Sequence, residues 1–249
     1  MSRIVSVHSF RGGTGKSNTT ANVAALLAAE GKRVGVVDTD IQSPGIHILF
    51  GLAGDQIQTS LNDYLWHGCP IQETAVVVTP DRAPGAVFLV PASTKPGEIT
   101  RALREGYDAK RLTRGFRNLI DTLDLDVLLI DTHPGLNEET LLSLVIAHLV
   151  IVVMRPDKQD YEGTGIAIKV ARSLNVPNLL IVVNKSPATL DAAALKNRVS
   201  EIYGCEVAAV LPHSDEMMNL ASGGIFVLRY PDHSMTGQLR EIVNRINDL

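Results

Sequence analysis

Nine residues near the start of the chain have the types and spacing of anion chemistry: Ser9-Phe10-Arg11-Gly12-Gly13-Thr14-Gly15-Lys16-Ser17. Glycines let successive backbone N–H groups turn toward one point without Cβ clashes, which makes a cradle for an anion. Lys16 has the reach to neutralise the β- and γ-phosphates of a nucleotide, and the Ser17 hydroxyl can ligate Mg2+. Carboxylates recur in two other places, Asp38-Thr39-Asp40 and Asp131, each after a short apolar run. At a strand tip, a carboxylate such as Asp131 can hold Mg2+ through water.

These groups do chemistry together only if several strand ends meet. Ile4–Val7 reads as a strand before the glycine loop, and Thr19–Glu30, rich in Ala and Leu, reads as the helix after it. That helix would add the positive end of its dipole to the anion site. Further apolar strands are expected at Val34–Asp38, Asp126–Asp131, Leu149–Met154, Leu179–Lys185 and Glu206–Leu211. Unbroken apolar strands alternating with helices indicate a parallel sheet covered on both faces. Ligands of such sheets sit beyond the strand C-termini, so Asp38 and Asp40 should land beside the glycine loop. The expected fold class is α/β: one domain over residues 1–249, with a mostly parallel twisted sheet flanked by helices on both faces.

Between these strands the signals are weaker. Ser60–Trp66 reads as a short helix, and Thr74–Thr79 and Ala86–Pro91 as strands around a Pro/Gly-rich turn. Ala109–Leu123 reads as an amphipathic helix with Leu112, Phe116, Leu119, Ile120 and Leu123 on one face. Helices from about Tyr161 to Asn175 and from Thr236 to Asn247 complete the reading. The chain has 249 residues, 45% of them hydrophobic, enough for one substantial core. Its two cysteines, Cys69 and Cys205, have no C-x-x-C spacing, so a disulfide framework or cysteine metal site is not expected. No secretory signal precedes Ile4 and no apolar run reaches the roughly 18 residues of a membrane span, so a cytoplasmic location is expected. With a net charge of −4, nucleic-acid binding would need a local basic patch.

The loop resembles the deviant Walker A box K-G-G-x-G-K-[ST] of the ParA/MinD family. Gly12, Gly13, Gly15, Lys16 and Ser17 match it, and Arg11 stands where the family has its signature lysine. Asp38-Thr39-Asp40 resembles the family's first switch and Asp131-Thr132-His133-Pro134-Gly135 its second. Asn184-Lys185 and Pro212-His213-Ser214-Asp215 resemble the two sides of its adenine site. The resemblance implies ATP and Mg2+ as cofactors and ATPase activity. The nucleotide would be held by residues 11–18, Arg11 through Asn18, and by Asn184, Lys185, Pro212, His213 and Asp215. Ser17, Asp38 and Asp131 would form the metal shell, with Asp40 orienting the attacking water. The alternative for Asp38 and Asp40 is helix capping, and for Asn184 an ordinary turn residue.

The resemblance further implies a homodimer sandwiching two nucleotides, an adaptor protein that stimulates hydrolysis, and a surface bound in the ATP state. Non-specific nucleoid DNA is the expected surface and membrane is disfavoured. Lys169, Arg172, Lys196, Arg198, Arg240 and Arg245 are candidate phosphate contacts. The cargo would be carboxysomes, as in the McdA subgroup, or plasmids or chromosomes. A MinD-like membrane-associated division regulator and a non-hydrolysing scaffold are the alternatives, and a metal-cluster carrier on the same fold is a further rival. Either Arg11 or Lys158 would take the signature lysine's role, since Lys158 lies just past a strand tip; Lys158 otherwise reads as an exposed first-turn residue of the next helix.

Overall fold

The computed structural model describes residues 2–249. In chain order its elements are β1 (Arg3–His8), α1 (Lys16–Ala29), β2 (Arg33–Asp38), α2 (Ile46–Leu49), α3 (Leu61–His67), β3 (Val76–Val77), β4 (Ala86–Val90), α4 (Pro96–Glu105) and α5 (Ala109–Leu123). There follow β5 (Val127–Asp131), α6 (Glu138–Val145), β6 (Leu149–Met154), α7 (Lys158–Ser173), β7 (Leu179–Ser186), α8 (Ala192–Tyr203), β8 (Glu206–Pro212), α9 (Asp215–Leu220), α10 (Phe226–Arg229) and α11 (Ser234–Asn247).

Eight strands form one sheet in the order β3-β4-β2-β5-β1-β6-β7-β8, parallel throughout except for the β3–β4 pair. Side chains of a strand alternate between faces, and here both faces are apolar. Along β6, Leu149, Ile151 and Val153 join the layer of α1, α10 and α11, while Val150, Val152 and Met154 join that of α7 and α8. Further along the second face, Leu128 and Ile130 of β5 pack under α3 and α5 with Leu61, Leu112, Phe116 and Leu119. This two-sided burial is why the strands read as unbroken apolar runs. Each fully buried Leu, Ile or Phe contributes about 1.5–3 kcal/mol through area removed from water.

The α/β architecture is as expected, with differences at element ends. The helix after the glycine loop begins at Lys16 rather than Thr19, because left-handed Gly15 (φ 98°) delivers the chain directly into helical geometry. The expected strand 74–79 is two residues long. Thr74 belongs to a 3-10 turn, Ile71–Thr74, and the Thr79 hydroxyl accepts the Val87 N–H at 3.0 Å in place of a ladder bond. The helix after β6 starts at Lys158, capped by the Asp157 carboxylate on the Asp160 N–H at 3.0 Å. Among the described residues no helix is long and apolar enough to cross a membrane.

Candidate functional site

The loop between β1 and α1 wraps over the C-terminal ends of β1, β5 and β6. Three contacts hold it. Gly135 donates its N–H to the Ser9 carbonyl at 3.0 Å, Asn184 donates Nδ2–H to the Thr14 carbonyl at 2.7 Å, and the Lys185 ammonium donates to the Gly13 carbonyl at 2.8 Å. Gly15 must be glycine twice over: its φ is left-handed, and a Cβ would lie 2.2 Å from Asn184 Nδ2. Phe10 docks the start of the loop on α7, where a Cβ on Gly163 would fall 2.1 Å from its ring. These braces occupy three of the loop's carbonyls, and the loop and the first turn of α1 line the cleft, where a helix N-terminus favours an anion.

Lys16, the first residue of α1, is buried at the cleft wall that Gly12–Asn18 line together with Asp40, His133, Pro134, Asn184, Lys185, Pro212 and His213. Asp38 and Asp131 sit beneath it, register partners on adjacent strands and 0% and 1% exposed. Burial raises the pKa of both carboxyls. Asp131 pushes Asp38 further up, and the Lys16 charge pulls Asp131 partly back. Asp38 accepts the N–H groups of Asp40 (3.0 Å) and Gly45 (3.4 Å), and Asp131 accepts the Thr20 hydroxyl at 3.3 Å. Two desolvated like charges beside a serine hydroxyl are a hard-oxygen donor set, and a small divalent cation would relieve their repulsion. Ser17, Asp38 and Asp131 therefore fit Mg2+. The residue before the loop, His8, is wholly buried; its Nδ1 lies 3.0 Å from Thr132 Oγ1, and burial, then Lys16, lowers its pKa to about 3.

Asp40 is not buried as deeply. Its Oδ1 accepts the Ser43 N–H at 3.2 Å and lies 2.6 Å from His133 Nδ1. On the opposite side of the cleft, Asp215 lines the adjoining hollow with Lys185, Pro212 and His213. Asn184 and Lys185 are engaged with the loop carbonyls, and the Asn184 Oδ1 accepts the Lys185 N–H at 2.8 Å. In this structure they brace the phosphate cradle; contact with a base remains a proposal.

Two expected residues stay outside the cleft. The Arg11 guanidinium is bound within the chain, 3.4 Å from Asp160 and 3.7 Å from Asp157. Arg155 grips the same Asp160 carboxylate through its backbone N–H at 2.8 Å and its Nε at 3.2 Å. Lys158 is the exposed first residue of α7. Sequence reading missed the braces at Asn184 and Lys185. Lys185 adopts a left-handed φ of 55°, where the β7–β8 register shifts, a distortion with no residue-type signature. It also missed the Arg11–Asp160 pair, although Asp157 and Asp160 carry the spacing of a helix start.

Comparison with known proteins places this geometry. The ParA family profile, described as "NUBPL iron-transfer P-loop NTPase", matches residues 1–247. An iron-sulfur cluster carrier protein of Pseudomonas fragi is 30% identical over 235 residues, 89% of this chain and 76% of its own. Among solved structures, the septum site-determining protein MinD of Pyrococcus horikoshii, complexed with Mg-ADP, superposes with TM-score 0.82 at 19% identity over 99% of this chain and 96% of its own. The apo McdA of Cyanthece does so with TM-score 0.75 at 14% identity over 98% and 99%. At those identities the structural matches speak for the fold alone. The glycine cradle, buried Lys16 and paired aspartates on a sheet of this order, together with a family match from end to end, make the chain a member of the ParA family of P-loop NTPases.

Proposed function

We propose that this protein is an ATP-hydrolysing switch that dimerises around its nucleotide. The observation that carries the reading is the convergence of Lys16, Ser17, Asp38, Asp40 and Asp131 at the ends of β1, β2 and β5, beside the glycine loop. ATP would lie with its β- and γ-phosphates on residues 12–17 and its base toward Pro212 and His213. Mg2+, held by Ser17, Asp38 and Asp131, would neutralise charge on the phosphates. Asp40 orients water: its oxygen bonds to the γ-phosphorus, the bond from that phosphorus to the bridging oxygen breaks, the electron pair leaves on ADP, and the water proton ends on phosphate. Such catalysis is mainly positioning and electrostatics.

Two copies would meet across their clefts, with Lys158 reaching the partner's phosphates. The ATP dimer would bind nucleoid DNA, and a partner protein would stimulate hydrolysis and release, positioning a cargo such as a carboxysome, plasmid or chromosome. Of the candidate DNA contacts, Lys169, Lys196, Arg198 and Arg240 are exposed with no ion-pair partner among the described residues, whereas two are engaged within the chain. Arg172 caps the Tyr203 and Gly204 carbonyls at 2.6 and 2.9 Å, and Arg245 pairs with Glu206. On α5, Lys110, Arg114 and Arg117 are exposed and have no ion-pair partner within 4.0 Å among the described residues. At 3.6 residues per turn they share an arc of about 60° opposite buried Leu112, Phe116 and Leu119.

The relatives' names raise a rival, cluster carriage. Clusters are commonly held by four cysteine thiolates. Cys205 is buried beside Arg172, which leaves Cys69 as the more accessible thiol, two per dimer. That supports the switch over the carrier. The experiment is sedimentation with ATP and Mg2+ alongside phosphate release. The parent should dimerise transiently and turn over slowly. Asp40→Ala should bind ATP, stay dimeric and release phosphate at least tenfold more slowly; turnover at the parental rate would refute the assignment.

A further inference from the structure

A side-chain contact in the cleft links the segments that leave β2 and β5. The segment leaving β5 is fixed at its backbone: Thr132 donates its N–H and hydroxyl to the Val7 carbonyl at 3.2 and 3.1 Å, and Thr140 donates its hydroxyl to the His133 carbonyl at 3.3 Å. The segment leaving β2 is tied to it, since the Thr39 N–H and hydroxyl both reach the Asp131 carbonyl at 2.9 Å. From this double anchorage the His133 side chain crosses to Asp40, with Nδ1 2.6 Å from Oδ1. Both side chains line the phosphate end of the cleft and are largely shielded, 25% and 14% exposed.

The two carboxylate oxygens of Asp40 are thus unlike. Oδ1 has two partners, the Ser43 N–H and His133, whereas Oδ2 has none among the described residues. A carboxylate gripped by one oxygen on a rigid frame presents the other in a fixed direction. The Ser43 bond alone, at 3.2 Å and from an exposed loop residue, is a weaker restraint. An N–H donor at 2.6 Å to a carboxylate is at the short, charge-assisted end of hydrogen bonds.

We infer that His133 is a positioning residue for hydrolysis: its Nδ1–H holds Oδ1 of Asp40 so that Oδ2 faces the attacking water. The inference rests on the reading of Asp40 as the water-orienting residue. It also assigns the imidazole a task other than proton transfer, because the atom nearest the reaction is the carboxylate oxygen and not a ring nitrogen. The contact joins the segments that follow β2 and β5, so a shift in one moves the reactive carboxylate held by the other.

The test is single-turnover and steady-state ATP hydrolysis by His133→Ala, His133→Asn, Asp40→Asn and the double variant His133→Ala/Asp40→Asn, with ATP affinity measured separately. Misplacing a catalytic group by about 1 Å costs on the order of 100-fold. His133→Ala should therefore lose roughly 10- to 100-fold in kcat, with ATP affinity and thermal unfolding close to the parent. His133→Asn should recover much of the loss, because its amide nitrogen stands where Nδ1 stood. In the Asp40→Asn background, His133→Ala should add nothing. Parental kcat in His133→Ala, or a loss that multiplies with Asp40→Asn, would overturn the inference while leaving the role of Asp40 intact. Parental kcat in Asp40→Asn would instead remove the reading of Asp40 on which it rests.

Discussion

Acidification should destabilise the fold through His8, by an amount the structure lets one work out. The side chain is 0% exposed, its Nε2 has no hydrogen-bond partner, and burial and the neighbouring Lys16 hold its pKa near 3 against an ordinary 6.5. The folded pKa lies below the unfolded one, so between those values the unfolded chain binds the extra proton. Stability is fully present above about pH 6.5 and is lost as pH falls toward 3. A full proton of difference changes stability by about 1.4 kcal/mol per pH unit, so moving from pH 8 to pH 5 should cost about 2 kcal/mol from this residue alone. The assay is urea unfolding at both pH values for the parent and for His8→Asn, whose amide nitrogen replaces Nδ1 toward Thr132. Every other ionisable group is common to the two proteins, so its contribution subtracts out. His8→Asn will be less stable at pH 8, yet its loss between pH 8 and pH 5 should be smaller than the parent's by about 2 kcal/mol. Equal losses in the two proteins would refute the reasoning, as would a histidine NMR titration that finds His8 protonated near pH 6.

Two other outcomes follow from surface charge. Replacing Lys110, Arg114 and Arg117 together with glutamine should leave ATP turnover and thermal unfolding unchanged while reducing the salt slope of DNA binding by about 3, at roughly 0.9 per phosphate contact. An unchanged slope would clear α5, and tight binding to anionic vesicles without DNA retention would move the surface to a membrane. Lys158→Ala should lose ATP-dependent dimerisation while monomeric nucleotide binding survives. Arg11→Ala should still dimerise, because Arg11 is engaged within its own chain and Arg155 continues to hold Asp160. Sedimentation with ATP decides, and a stable Lys158→Ala dimer returns the role to Arg11.

The parts legible in the sequence are those that local chemistry dictates. Strands covered on both faces must be apolar at every position, so β5, β6 and β7 announce themselves. The phosphate loop is legible because only glycine tolerates the φ of 76° and 98° at Gly13 and Gly15. What escaped depends only in part on long-range partners. Helix α4 carries a proline at its start, Glu98 in its first turn and Arg104 in its last, signals of a helix that sequence reading passed over, and it buries no residue outright. Strand β3 is cut short where the Thr79 hydroxyl accepts the N–H of Val87, eight residues further on, which β-branched composition cannot reveal.

The same division runs through the site. Lys16, Asp38 and Asp131 follow from position at strand and helix ends, whereas the task of Arg11 does not. Its sequence position matches a lysine that would serve a partner subunit, and at the level of charge an arginine reads as a substitute. The fold gives it a different setting. Asp157 caps α7 and Asp160 turns inward, 2% exposed, between Arg155 and Arg11. An unpaired carboxylate there would bear a desolvation cost that two guanidinium groups remove. A planar guanidinium spans that pocket better than a compact ammonium. The substitution therefore couples the phosphate loop to the first turn of α7, the turn that carries Lys158. If Lys158 crosses to the partner's phosphates, Arg11 still acts at the interface, by fixing the helix end from which that lysine reaches.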